Sequence, residues 1–181
     1  MKLYFIAFIP HEALKENIRA LKEEMKERFN AQHALKSPAH ITLQMPFKRK
    51  EEEESRFIPT LEKFAGQQSG FLSRLNGFGH FSTRVIYINV EPSQAILDIH
   101  AHLNQVLAEQ LGFPEGEIRT EFHPHMTIAT RDLSKSAFKE AWKEFQYRDF
   151  QDSFMAESIF LLKHNGKHWD IYREFYFAKS V

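Results

Sequence analysis

The sequence predicts a mixed helix-and-strand fold made of a duplicated strand–helix–strand unit, its two halves facing each other across a cleft. Three observations carry this expectation. The order strand, helix, strand occurs near the start of the chain and again in its second half, with connecting strands between and a hairpin to close. Each copy ends in a stretch holding a His, one apolar residue and a Thr: Pro38-Ala39-His40-Ile41-Thr42-Leu43 and His123-Pro124-His125-Met126-Thr127-Ile128. Apolar and polar residues alternate through both, as in a strand with one buried face.

The chain has 181 residues, 43% hydrophobic and 14% aromatic with eighteen Phe. That is enough for a single domain, residues 1–181, with a good core. Lys plus Arg equals Asp plus Glu at 24 each. The balance argues against a broad basic face for duplex nucleic acid and leaves room for a local cationic groove. With no Cys, disulfides, thiol nucleophiles and Cys–zinc sites are excluded. Met1 to Pro10 is too short and strand-like for a signal peptide, and no apolar run could span a bilayer, so a soluble cytoplasmic protein is expected.

Leu3 to Ile9 is a continuous run of β-formers, the pattern of a strand buried on both faces. Pro10 ends it and opens a helix of about five turns, in which Leu14, Ile18, Leu21, Met25 and Phe29 form the inner stripe. The Lys and Glu of this helix read as solvated surface. Glu51 to Glu54 precede a short helix lined by Phe57, Leu61 and Phe64, and acidic residues suit its N-terminus through the dipole. Phe71 to Phe78 alternates as a strand, Gly77 to Ser82 reads as a turn or bulge, and Arg84 to Val90 as the next strand. Ser93 and Gly112 bracket a helix as N-cap and C′ residue. Its apolar stripe is Ile96, Ile99, Leu103, Val106 and Leu107, while His100 and His102 diverge and cannot share a metal. Asp132 or Ser134 caps a further helix with Phe138, Ala141, Trp142 and Phe145 on one face. Met155 to Lys163 and Trp169 to Phe177 are the closing strands, around an Asn165-Gly166 turn.

Side chains two apart on a strand share a face. His40, Thr42 and Gln44 should therefore point one way, with Ile41, Leu43 and Met45 in the core. In the second copy His123, His125, Thr127, Ala129 and Arg131 share a face, with Met126 and Ile128 behind. Ten His and six Thr make roughly a third of a His-x-Thr expected by chance, so one copy would mean little. Two copies in equivalent strands mean more. A pseudo-twofold axis between the units would bring both motif faces to one cleft.

Two imidazoles flanking a phosphorus centre can divide acid–base work, one deprotonating the incoming oxygen and one protonating the leaving oxygen. Thr hydroxyls can hydrogen-bond the non-bridging oxygens where charge builds. Neither a metal nor a protein nucleophile is needed, and no carboxylate cluster accompanies either motif. A zinc site of His40, His123 and His125 is conceivable but leaves both Thr unused. The chemistry that fits is cleavage of an activated phosphodiester, notably a cyclic one.

These motifs, with Tyr4 to Pro10, Gly77-Phe78 and Arg84-Val85-Ile86-Tyr87, resemble those of the 2H phosphoesterase superfamily. The nearest likeness is to its 2′-5′ RNA ligase-like proteins that act as RNA 2′,3′-cyclic phosphodiesterases. The resemblance spans the first strand to about Arg131, and the closing hairpin fits it more loosely. It implies a bilobal α+β fold, each lobe an antiparallel sheet with outer helices, about a central cleft. His40 and His125 would be the catalytic pair, with His125 as base and His40 as acid in hydrolysis. Thr42 and Thr127 would bind phosphate, with no metal or cofactor. Where the family pattern often has Arg five residues after the second His, this chain has Thr130, and Arg131 follows. On a regular strand that puts Arg131 on the His125 face, as a further substrate-binding candidate beside His123. The expected substrates are RNA ends or small cyclic or 2′-5′ linked nucleotides, with no membrane partner and a monomeric chain. A 2′-5′ phosphodiester hydrolase or ligase, or a binding module without turnover, are the competing readings.

Overall fold

The computed structural model describes residues 1–179. In chain order its elements are β1 (Lys2–Phe8), α1 (Glu12–Phe29), a 3-10 turn (His33–Lys36), β2 (Ile41–Arg49), α2 (Glu54–Ala65), β3 (Phe71–Phe81) and β4 (Val85–Val90). There follow α3 (Gln94–Glu109), β5 (His125–Ala129), α4 (Lys135–Phe145), β6 (Gln151–Ala156), β7 (Ser158–His164) and β8 (Trp169–Tyr176). Two four-stranded antiparallel sheets result, ordered β2-β1-β7-β8 and β5-β4-β3-β6. This is the expected α+β architecture, and the duplication is explicit in it. The unit β1-α1-β2 corresponds to β4-α3-β5, and each motif strand is the outer strand of its own sheet. One apolar core joins the sheets to the helices, with Tyr4, Phe8, Phe64 and Phe145 among its largest fully buried members. No helix among the described residues is long and apolar enough to cross a membrane.

Helix boundaries follow local chemistry. His11 Nδ1 accepts the Leu14 N–H at the start of α1, and Asn30 ends it in the left-handed region at φ 54°. Ser93 and Ser134 Oγ accept the N3 N–H groups of α3 and α4. Gly112, at φ +66°, closes α3 as Phe113 N–H bonds the Leu107 carbonyl, the bonding that a Gly in left-handed conformation permits.

The structure corrects several strand expectations. Met155 to Lys163 is two strands: β6 belongs to one sheet and β7 to the other, with the crossing at Glu157. A chain that switches sheets at a bend keeps strand composition on both sides, so composition does not mark the break. Asn165-Gly166 does not make a two-residue turn. Asn165 N–H bonds the His168 carbonyl, and Asn165 Oδ1 accepts the N–H groups of Lys167 and His168 at 2.9 and 2.8 Å. The Asn side chain thereby organises a longer loop. β3 runs on to Phe81, with Gly77 at φ 65° inside a bulge where the register jumps between Leu75 and Phe78.

The acidic run that leads into α2 and ends on its first residue, Glu54, does more than dress a dipole. Glu54 accepts the hydroxyls of Tyr4 at 2.5 Å and Tyr172 at 2.6 Å, and Lys163 Nζ at 2.9 Å, tying α2 to three strands of the first sheet.

Candidate active site

His40 is the residue before β2 begins, and His125 is the first residue of β5. Both are supported in the same way. His40 Nδ1 lies 2.8 Å from the Pro38 carbonyl and His125 Nδ1 lies 2.7 Å from the His123 carbonyl, each two residues upstream. A carbonyl only accepts, so both Nδ1 atoms carry the proton and both Nε2 atoms keep a lone pair. Each ring also rests on aromatics. The Phe5 ring is 4.8 Å from that of His40, and Phe81 and Tyr87 are 4.9 and 5.0 Å from that of His125.

His40, Thr42, His125 and Thr127 line a single cleft of about 400 Å³. The sequence-derived quartet is thus brought together from the outer strands of two sheets. The histidines are close enough that a charge on His125 lowers the proton affinity of His40. Burial is the main reason His40 is pushed down to about 4, with the Lys22 ammonium next and the Pro38 carbonyl opposing. His125 is also lowered by burial, against the pull of the His123 carbonyl.

The other candidates are placed differently. Arg131 does line the cleft, but not as a strand residue. β5 ends at Ala129, and Arg131 turns in from the left-handed region at φ 55°. His123 is exposed and its Nε2 lies 3.2 Å from the Tyr87 hydroxyl. Its ring is not part of the cleft wall, and its contribution to His125 is made by the backbone carbonyl. Among the described residues, no three His, Asp or Glu side chains converge where a metal could bind.

Gln44 breaks the expected alternation. Two bulges in the β1–β2 pairing, between Tyr4 and Ile6 and between Ile6 and Ala7, turn it into the protein. Gln44 is 2% exposed and its amide donates to the Glu117 carbonyl at 2.9 Å. Met45, expected in the core, is 49% exposed and lines the cleft. A bulge shifts side-chain parity by one residue and leaves little compositional trace.

Sequence reasoning missed the 3-10 turn. Its His33 and Lys36 face the same cleft, where Lys36 and Arg131 make one end cationic. Burial lowers His33, followed by the charges of Arg131 and Lys36. Lys22 was also misplaced. Although the Lys of α1 read as solvated, Lys22 is 3% exposed and donates to the Ser37 carbonyl at 2.9 Å.

Two equivalent strands thus each bring a carbonyl-fixed imidazole and a hydroxyl to one cleft. Comparison with known proteins identifies the family. The family model described as 2'-5' RNA ligase superfamily matches residues 10–168, and the chain belongs to that superfamily, the 2H phosphoesterases. A presumed phosphoesterase of Oceanobacillus iheyensis is 27% identical over 180 residues, covering 98% of this chain and 99% of the relative. One from Geobacillus kaustophilus is 25% identical over 179 residues, covering 97% and 95%. Among solved structures, E. coli LigT in its apo form superposes with a TM-score of 0.68 at 19% identity, covering 98% of both chains. The same protein with 3'-AMP gives 0.68 at 18% identity, covering 98% of this chain and 99% of that one. These structural likenesses establish the fold.

Proposed function

We propose that this protein is a metal-independent phosphodiesterase that hydrolyses 2′,3′-cyclic phosphates on RNA ends or nucleotides. The observation that carries the reading is the matched support of the two rings. Each Nδ1–H is held by a carbonyl two residues upstream, so each Nε2 serves a cleft that Thr42 and Thr127 also line.

In this mechanism the cyclic phosphate sits between the rings, its non-bridging oxygens hydrogen-bonded by Thr42 and Thr127. His125 Nε2 takes a proton from water as the water oxygen attacks phosphorus. The bond from phosphorus to one ring oxygen breaks, and that oxygen receives the proton carried by His40 Nε2, leaving a phosphomonoester. Burial lowers both rings, His40 to about 4, so the proton that His40 gives must be loaded in the complex, where the bound phosphate anion favours the imidazolium. Arg131, with His33 and Lys36, would hold anionic parts of the substrate beyond the scissile group. The likeness to LigT, which has been captured with 3'-AMP, is in keeping with a nucleotide in such a cleft.

The test is incubation, with EDTA, of the wild type, His40→Ala and His125→Ala with a short RNA ending in a 2′,3′-cyclic phosphate. Conversion to a phosphomonoester by the wild type alone is expected. No conversion, with equal binding by all three proteins, overturns this substrate assignment. Cleavage of a 2′-5′ linked dinucleotide in its place would mark a 2′-5′ phosphodiesterase using the same residues.

A further inference from the structure

Lys22 lies on the inward face of α1, one turn from Ile18 and from Met25, both fully buried. At 3% exposure it is more deeply buried than the histidines it sits behind, and burial lowers its own proton affinity to about 8. Its one hydrogen bond is from Nζ to the Ser37 carbonyl at 2.9 Å, and among the described residues no carboxylate pairs with it. The charged groups around it are already engaged or of like sign. Glu12 binds Lys15 at 2.6 Å and Glu16 lies 3.7 Å from Arg19, while Lys36 adds positive charge. A Met or Leu would fill this space without burying a charge, and a buried charge is costly unless it is paired. Packing does not explain a lysine here.

The residue after its acceptor does. Ser37 is followed by Pro38, whose carbonyl holds His40 Nδ1 at 2.8 Å. We propose that Lys22 is a positioning residue for His40: its ammonium clamps the Ser37–Ala39 segment from behind and sets a fixed positive charge at the back of the imidazole. The inference rests on His40 being the catalytic histidine of the first motif. In the second unit the buried Asn104 of α3 donates to the Arg119 carbonyl at 2.9 Å, an uncharged tie, and among the described residues no ammonium acts on His125. Its supporting carbonyl comes from the exposed His123, and the nearest influence on it beyond burial is His123 itself. Lys22 therefore gives the histidines of two equivalent motifs unequal electrostatic surroundings. The groups facing His40 are Lys22 from α1, His125 from β5 and the Pro38 carbonyl, with the neutral Phe5 beneath the ring. Removing Lys22 leaves no other cation acting directly on it except His125 when protonated.

The experiment is an imidazole NMR titration of His40 and His125 in the full chain without substrate, comparing wild type with Lys22→Met and Lys22→Arg. In Lys22→Met the His40 midpoint is expected to rise by roughly one pH unit, with His125 little changed. Lys22→Arg, which keeps the charge, should hold His40 near its wild-type value. With a cyclic phosphate substrate, the limb of the kcat/KM profile that follows His40 should move by the same amount. A His40 midpoint unmoved in Lys22→Met overturns the proposal. The titration needs no turnover, so absence of cyclic phosphodiesterase activity with a shifted His40 would count against the substrate reading and not against the clamp.

Discussion

The carboxylate of Asp132 accepts the backbone N–H of His33 at 2.9 Å, and through the same oxygen that of Gln32 at 3.0 Å. Asp132 follows Arg131 at the end of the second motif, whereas His33 opens the 3-10 turn of the first unit. One side chain thus ties the segment that carries Arg131 to the turn that carries Lys36. Asp132→Ala should cost about 0.5–2 kcal/mol, the usual range for a lost cap. It should also raise KM several-fold with kcat largely kept, since the reacting groups are untouched. Asp132→Asn retains an acceptor oxygen and should restore most of KM. Steady-state kinetics beside urea unfolding checks this.

Thr42 and Thr127 line the cleft beside the two histidines, and the proposed reaction gives their hydroxyls the non-bridging oxygens to bind. Loss of one positioned donor to a developing oxyanion typically lowers kcat by roughly 10²-fold. Thr42→Ala and Thr127→Ala should each approach that loss, while the Ser variants keep the hydroxyl and most of the rate. Equal kcat in Ala and Ser variants would remove the hydroxyls from the chemistry.

Gly79 is where the fold leaves no room near His125. A Cβ there would stand 2.5 Å from the Tyr87 ring and 2.7 Å from Asn89 Oδ1. Tyr87 packs against His125 and Asn89 lies opposite it in the β4–β5 ladder. Gly79→Ala should therefore destabilise by about 1–3 kcal/mol, as overpacking does, and lower kcat as well. Gly116→Ala, which meets open space, serves as the neutral control in the same thermal melts and assays.

Acid should weaken the fold earlier than carboxylate chemistry alone would. His40 falls from an ordinary 6.5 to about 4 in the folded chain, so between those values the unfolded state binds the extra proton. The stability linked to this ring is complete above pH 6.5 and is lost as pH falls toward 4, at most about 3 kcal/mol. His125, His100 and His33 are shifted the same way by burial. Urea midpoints at pH 7 and pH 4.5 should differ less in His40→Leu than in wild type.

Much of the site was readable because its chemistry is local. His-x-Thr on a strand fixes which side chains share a face, and two copies in equivalent units imply a shared cleft. The order of elements and the caps Ser93, Ser134 and Gly112 were legible for the same reason: each is decided by a few adjacent residues. Gln44 and Met45 exchanged places because bulges are set by the partner strand. Arg131 reached the cleft through a backbone turn, not through strand parity. Lys22 read as surface charge, Asp132 as a possible cap of α4 where Ser134 is the cap, and His33 was not singled out, since their roles come from groups distant in sequence. The sheet change at Glu157 was invisible for want of any local mark.

That sheet change has a consequence for how the cleft comes into being. β1 is flanked by β2 and by β7, so Tyr4 has Lys163 as a ladder partner. The sheet that displays His40 is therefore completed by β7 and β8, strands far along the chain from β1 and β2. Contacts so far apart in sequence form slowly, because a long loop must close before they reward it. The second sheet asks for a shorter closure around β3 and β4, with β6 to complete it. The two motif histidines thus stand on sheets of unequal sequence span: β2 reaches β7 and β8 through β1, whereas β5 reaches β6 through its nearer neighbours β4 and β3.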